Sequence, residues 1–350
     1  MGNEPQHPPV QRLLQLIDGM ADQPVLMLVD LVADRFITGI PKRISREAPV
    51  LILSYQSEVL LPGGGANAVA NVRALDGRPL PVGIVGDDPN GRELLASLEE
   101  RGIPTEGILQ RPGYRTPTKT RILGGGRHAI KQQIVRFDIE EPLQLRPAEH
   151  AELTRRLGRW RTSEPRVAVL SDYGYGTVEP LLLNAVRQGL APGSTVLCDS
   201  RYRLSEFAGL DAATPNEEEA ETLLGTSLAA PPEAFAAGGR RLLQELAARF
   251  LLITRGSQGM ALFEPAGTTY LPVHGTDQVA DVTGAGDTVI GTFALALAAG
   301  ASPREATLLA NYAGGVVVAK MGTATLTRDE LRRAVQSDPT PLQELRWEAS

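Results

Sequence analysis

The residues best suited to chemistry lie in the run DVTGAGDTVIGTFALALAAG, which begins at Asp281. Gly284, Ala285 and Gly286 leave backbone N–H groups accessible, and Asp287 opens an apolar helical run ending near Gly300. Amides at a helix start, with the aligned peptide dipoles, can hold an anion and stabilise charge developing on a transferred phosphoryl group. Asp287 would accept the proton of an alcohol as the new phosphate ester bond forms. The same spacing also suits a carboxylate that merely caps an ordinary amphipathic helix.

A second glycine-rich site, Gly63, Gly64 and Gly65 with Asn67, can bring backbone and one amide against a polyhydroxyl ligand. Gly63 through Ala68 also fits G-x-G-x-x-A, with Asp87 after the next strand, so an NAD-dependent oxidoreductase is an alternative. Asp30 and Asp34 follow the first strand and can grip sugar hydroxyls, or simply end the strand and turn. In TPNEEEAETLLG, from Thr214, Asn216, Glu217 and Glu219 open a helix, and their oxygens suit Mg²⁺ completed by water and nucleotide phosphates. Glu219 is the better candidate for metal support through water, whereas Glu218 fits plain stabilisation of a helix start. Gly256 and Gly259 of TRGSQGM, from Thr254, can shape a nucleotide-phosphate loop. No G-x-x-x-x-G-K-S/T motif occurs, which disfavours an ordinary P-loop phosphotransferase. Lys119, Arg121 and Arg136 can address an anionic sugar substituent, or face solvent from their strands.

These residues need elements to hold them. The expectation is an α/β fold with a doubly wound, mostly parallel sheet and a small accessory β-sheet lid. A helix around Leu13–Leu16 precedes a buried strand at Val25–Val29. Between about 36 and 61, β-rich runs at Val50–Leu53 and Val59–Leu61 lack a helical pattern; a hairpin from Thr118–Leu123 and Gln133–Phe137, around Gly124–Gly126, joins them. Strands at Val82–Val85, Val167–Leu170, Thr195–Leu197 and Leu251–Thr254 alternate with helices at Gly91–Arg101, Leu181–Gln188 and Arg241–Ala248. Ligands then gather beyond the strand C-termini. Ala229–Gly239 reads as a mobile insert.

Composition narrows the function classes. With 42% apolar and 22% charged residues in 350, the chain can bury a core and is not a disordered or fibrous protein. A net charge of −6 disfavours a general nucleic-acid footprint. One cysteine, Cys198, excludes an intramolecular disulfide, and four scattered histidines suggest no zinc motif. The N-terminus lacks a signal-peptide pattern, and Val289–Gly300 is too short to cross a bilayer, so a cytoplasmic protein with no membrane partner is expected.

Eight segments together resemble the PfkB/ribokinase-like sugar kinases: DLVADRF from Asp30, RISREAPV from Arg43, PGGGANAVANV from Pro62, SDYGYG from Ser171, TPNEEE, ITRGSQGM, DVTGAGDTVIGTF and the late KMGTAT. RISREAPV and SDYGYG make the chain more narrowly similar to heptose-7-phosphate kinases of bacterial lipopolysaccharide precursor synthesis. The resemblance implies a kinase domain over 25–330, with lid strands from about 36–61 and 117–138, an N-terminal extension at 1–24 and a C-terminal segment at 331–350. It places the anion hole at Gly284–Gly286 and the base at Asp287. Sugar contacts are implied at Asp34, Gly64, Gly65 and Asn67, ATP and Mg²⁺ at Asn216 and Glu219, and nucleotide-loop roles at Thr254, Arg255, Gly256 and Gly259. It further implies a homodimer joined through the lids. Tyr175 stands where such kinases have Lys, and Ser200 and Arg201 replace a Pro-Lys pair. The chain length leaves no room for the nucleotidyltransferase domain of similar bifunctional proteins, so a stand-alone kinase is expected. The expected reaction moves the γ-phosphoryl group of ATP to the anomeric hydroxyl of D-glycero-D-manno-heptose 7-phosphate; another sugar acceptor, or a non-catalytic sugar- or nucleotide-binding regulator, remains an alternative.

Overall fold

The computed structural model describes residues 8–126, 131–228, 232–275 and 281–349. Its strands are β1 (Pro24–Val29), β2 (Leu31–Ile44), β3 (Leu51–Gly64), β4 (Arg78–Gly86), β5 (Ile108–Arg111), β6 (Thr118–Gly124), β7 (Gln132–Ile139), β8 (Val167–Asp172), β9 (Thr195–Ser200), β10 (Ala212–Ala213), β11 (Phe250–Thr254), β12 (Met260–Glu264), β13 (Gly267–Leu271) and β14 (Arg346–Ala349). Ten of them form one sheet in the order β14-β13-β12-β11-β10-β9-β8-β1-β4-β5. Every pairing from β11 through β5 is parallel, and β12 to β14 extend the sheet antiparallel. Helices cover both faces, so β1 sends Val25, Met27 and Val29 into one core and Leu26 and Leu28 into the other. The expected doubly wound sheet and accessory sheet are both present.

The chain runs outward from β1 to β4 and β5, then returns to β8 on the other side of β1. The C-terminal ends of β1 and β8 therefore flank a topological switch point, where a crevice opens in folds of this kind. A single residue, Asp30, separates β1 from β2, which leaves the main sheet and pairs with β3 to build the lid. Lid order is β3-β2-β6-β7. The two separate runs expected at Val50–Leu53 and Val59–Leu61 are one strand of 14 residues, facing another of equal length in β2. Register shifts at Thr38/Gly39 and Pro41/Arg43 absorb Pro41, which cannot donate to the ladder.

Helix Pro232–Glu245 occupies most of the segment expected as a mobile insert; positions 229–231 lie outside the described residues, as does Arg127 after the Gly124–Gly126 turn. The sequence places divisions at 24/25 and 330/331. Helix Val10–Gly19 places Leu13, Leu16 and Ile17 in the same core as Leu331, Val335 and Leu342, and the second division falls inside helix Arg328–Ser337.

Candidate active site at the switch point

Helix Ala285–Ala298 starts at Gly284, whose φ of +78° is a left-handed conformation that a side chain would strain. Asp287 therefore sits in the first turn and is not the helix cap. Only 2% exposed, its carboxylate accepts from the Tyr173 hydroxyl on Oδ1 at 2.6 Å and from Asn67 Nδ2 on Oδ2 at 3.0 Å. Asn67 lies in helix Gly65–Ala74, where Asn71 Nδ2 donates to its carbonyl oxygen at 3.0 Å and Thr288 Oγ1 donates to Asn71 Oδ1 at 3.1 Å. Burial pushes the Asp287 carboxyl up to about 7, against the hydrogen bonds from Tyr173 and Asn67; the Asp34 charge raises it further and Lys119 opposes.

Asp287, Gly284 and Gly286 line a cleft of about 490 Å³ together with groups from the lid and from the β9–β11 edge. Strand register explains the lid side. Arg121 faces Arg136 across β6 and β7, and Lys119 lies two residues before Arg121, so all three cations share one face and line the cleft. Asp34 pairs with Lys119 across β2 and β6, and its Oδ1 holds Arg121 Nη1 at 2.6 Å in a nearly buried ion pair. Lys119 Nζ stands 5.5 Å from the Tyr173 ring centre, and burial draws its pKa down. Arg136 pairs with Asp138 at 3.1 Å. Gly64, with φ of +50°, lines the cleft where the lid re-enters the body, and its neighbour Gly65 begins the helix carrying Asn67.

On the opposite side, Asn216 bridges to Thr254 at the end of β11. Asn216 caps helix Glu217–Leu224 reciprocally with Glu219: Oδ1 accepts from Glu219 N at 2.8 Å, and Glu219 Oε2 accepts from Asn216 N at 2.9 Å. Burial raises the Glu219 carboxyl. Asn216, Glu219, Thr254 and Gly256 all line the cleft. An apolar pocket of about 230 Å³ adjoins it, lined by Met260, Val273, Val282, Ala285, Val289 and Val318 and sharing Thr254, Gly256 and Gly286 with the cleft; Gly259 belongs to this pocket.

Two expectations are corrected. Asp30 is 1% exposed and reaches no acceptor site, since Oδ2 accepts from the amides of Tyr173 and Tyr175 and Oδ1 from that of Thr177, each at 2.9 Å. It clamps the loop after β8, and burial pushes it up to about 6 against those amides. Arg255 turns away from the phosphate loop: its Nε meets Glu217 at 3.3 Å and its guanidinium stacks 3.8 Å from the Phe235 ring centre. The dinucleotide alternative also loses its frame. Strand β3 is antiparallel to β2, so Gly63–Ala68 does not open a parallel βαβ unit, and Asp87 is paired at the surface with Arg92 at 2.5 Å.

Tyr173, Asp172, Asp199, Thr214 and Thr323 line the cleft without having been singled out by sequence. Their position at or just after the C-terminal ends of β8, β9 and β10, or in the late KMGTAT segment, is the signal that could have found them. Asp199 is pushed well above the carboxylate range by burial and by Glu219, Asp287 and Asp172. Arg201 also lines the cleft, whereas the Tyr175 hydroxyl turns to Glu140 Oε1 at 2.9 Å. Ser200 Oγ donates to Asp172 Oδ2 at 2.7 Å.

A family model described as pfkB family carbohydrate kinase matches residues 38–330. Over 339 residues the chain is 39% identical to the Bifunctional protein HldE of Mesorhizobium japonicum, covering 95% of this chain and 65% of that relative. Identity to the protein of the same name from Nitrosococcus oceani is 40% over 319 residues, 89% of this chain and 63% of the relative. The chain thus spans slightly less than two thirds of the length of these relatives. Among solved structures, Arabidopsis thaliana ribokinase complexed with ribose and ATP superposes with a TM-score of 0.67 at 20% identity, covering 90% of this chain and 99% of that one. Escherichia coli phosphofructokinase-2 in complex with substrates and products gives 0.70 at 18%, with the same coverage. At these identities the likeness is one of fold, and the fold is ribokinase-like.

Proposed function

The chain belongs to the pfkB family of carbohydrate kinases, ATP-dependent phosphotransferases, and from that premise we propose that it phosphorylates the anomeric hydroxyl of D-glycero-D-manno-heptose 7-phosphate in the cytoplasm. The heptose assignment is supported by RISREAPV and SDYGYG, and by Lys119, Arg136 and Arg201 lining the cleft where a distal phosphate needs cations.

Asp287 accepts the acceptor's hydroxyl proton while the oxygen bonds to the γ-phosphorus and the bond to the departing nucleotide diphosphate breaks. Gly284, Ala285 and Gly286 present the helix start to the charge that develops on the transferred group. Asp34, with Gly64 beside it in the cleft wall, positions the sugar, while Asn67 and Gly65 act from behind through Asp287; Arg121 acts by fixing Asp34. The apolar pocket fits a nucleoside base, since it opens directly into the polar cleft past Thr254, Gly256 and Gly286. Asn216 and Glu219 fit a Mg²⁺ held through water: both residues line the cleft, and no cluster of three or more metal-ligating side chains exists among the described residues to hold the ion directly. Bound Mg²⁺ supplies neutralisation of phosphate charge there. Among the described residues no helix is long and apolar enough to cross a membrane. We also propose that two copies associate through their lids.

The single observation carrying this reading is the buried Asp287 carboxylate in the first turn of a helix whose glycine start opens on a cleft with cations on one side and Asn216 and Glu219 on the other. The test incubates the protein with ATP, Mg²⁺ and a panel of sugar phosphates, and identifies products by mass and phosphorus NMR. Heptose 1,7-bisphosphate is expected, with turnover reduced roughly 10²–10⁴-fold in Asp287→Asn. Equal turnover in that variant removes the base role, and ligand binding with no product from any acceptor favours the regulator.

A further inference from the structure

Tyr173 is the group outside the family's sequence motif for base and anion hole that touches Asp287 most closely, at 2.6 Å. We propose that Tyr173 is a positioning residue for the base: its hydroxyl fixes the plane of the Asp287 carboxylate and holds it in its proton-accepting form. The inference rests on the reading of Asp287 as base.

Two donors on two different oxygens, Tyr173 on Oδ1 and Asn67 on Oδ2, prevent the carboxylate from rotating and leave the remaining lone pairs for an acceptor. Tyr173 is itself fixed from three directions. Its amide donates to Asp30 Oδ2 at 2.9 Å, its ring packs where a side chain on Gly64 would stand, and Lys119 Nζ lies over the ring face. A cation there polarises the phenol and makes its O–H a better donor. This gives the buried Asp30 a purpose: it holds the loop that holds the base. Charged and titratable groups facing Asp287 are Asp34 from β2, Lys119 from β6, Tyr173 after β8 and Asp199 at the end of β9, while Arg201 faces Tyr173 and Asp199. Of these, Tyr173 makes the hydrogen bond. Burial lifts its phenol well above the usual range, so it stays a donor wherever the enzyme works.

A hydrogen bond to the charged form lowers a carboxyl pKa, so its removal must raise that pKa. In Tyr173→Phe the acid limb of kcat/KM is expected to move up by about one pH unit, with activity recovering towards the wild-type rate at high pH. Incorporating 3-fluorotyrosine at position 173, a near-isosteric and more acidic phenol, is expected to move the limb down. Substrate phosphates titrate identically with each enzyme and cannot cause the difference. A carboxyl-carbon NMR titration of Asp287 in the full chain reads the same shifts without any acceptor. A uniform loss at every pH, with the Asp287 titration unmoved in both variants, overturns the proposal. If Tyr173→Phe does not fold, the fluorotyrosine protein alone decides. Turnover surviving in Asp287→Asn overturns the base reading and this inference with it; an inactive Asp287→Asn beside an unmoved titration overturns only the role of Tyr173.

Discussion

At the scale of single residues, the cleft and the loop clamp behind it carry an electrostatic cost. Asp30 and Asp287 are both raised, to about 6 and about 7, from a value near 3.8 in the unfolded chain. Between pH ~4 and ~7 the folded state therefore binds more protons than the unfolded one, and these two groups make stability fall as pH rises through that window. Replacing Asp287 with Asn removes its share of the penalty. The melting-temperature difference between Asp287→Asn and wild type is expected to grow in the variant's favour by a few degrees from pH 5 to pH 8, measured by calorimetry; a difference that does not change with pH counts against ionisation of a buried base. With Asp287 as the proposed base, the same titration is expected to give wild-type kcat/KM an acid limb near pH 7, rising with pH as the carboxyl loses its proton. The ion pair of Asp34 with Arg121 has the opposite character: Arg121→Ala leaves a buried carboxylate unpaired and is expected to cost about 3–5 kcal/mol in chemical denaturation.

Among the elements, the start of helix Ala285–Ala298 ties its backbone most directly to Asp287. A Cβ on Gly284 meets Asn67 Nδ2 at 2.5 Å and must adopt a positive φ. Gly284→Ala is thus expected to push Asn67 off Asp287, lowering kcat at least 10²-fold while costing only about 1–2 kcal/mol of stability. Normal kcat in that variant removes the coupling between helix start and amide. What sequence could read here was local. The glycine run and apolar period marked both helices at Gly65 and Ala285, and the Gly124–Gly126 turn marked Thr118–Leu123 and Gln133–Phe137 as paired strands. Asp30, Arg255 and Tyr173 were decided by non-local geometry. Asp30 finds its amides more than 140 positions away at Tyr173, Tyr175 and Thr177, and Arg255 finds Glu217 and Phe235. No spacing rule records such partners. The single long β3 was hidden because Ser54–Glu58, exposed from Tyr55 on, interrupt the apolar pattern of the strand.

For the whole molecule, the lid has two faces with different duties. The face bearing Lys119, Arg121 and Arg136 closes the cleft, so the residues between them point outward. Register aligns Ile37, Ile122 and Val135 in one row across β2, β6 and β7 on that outer face, with Phe137 beside them. Val135 is 47% exposed and Phe137 is 52% exposed. An apolar row on a sheet standing off the body is covered economically by a second copy related by a two-fold axis, because the same patch then buries itself. A mass of twice 37.4 kDa is expected in sedimentation equilibrium, and Phe137→Asp should give the single-chain mass by placing two carboxylates against each other across the axis. Since β7 also carries Arg136, the lid of the separated chain loses a support for its cation face. The variant should then raise KM for the sugar phosphate more than KM for ATP, whose proposed site lies beyond the lid at Thr254 and Gly256. A wild-type protein that sediments at the single-chain mass, or a Phe137→Asp protein that stays paired, removes the lid as the contact and leaves the outer row to some other cover.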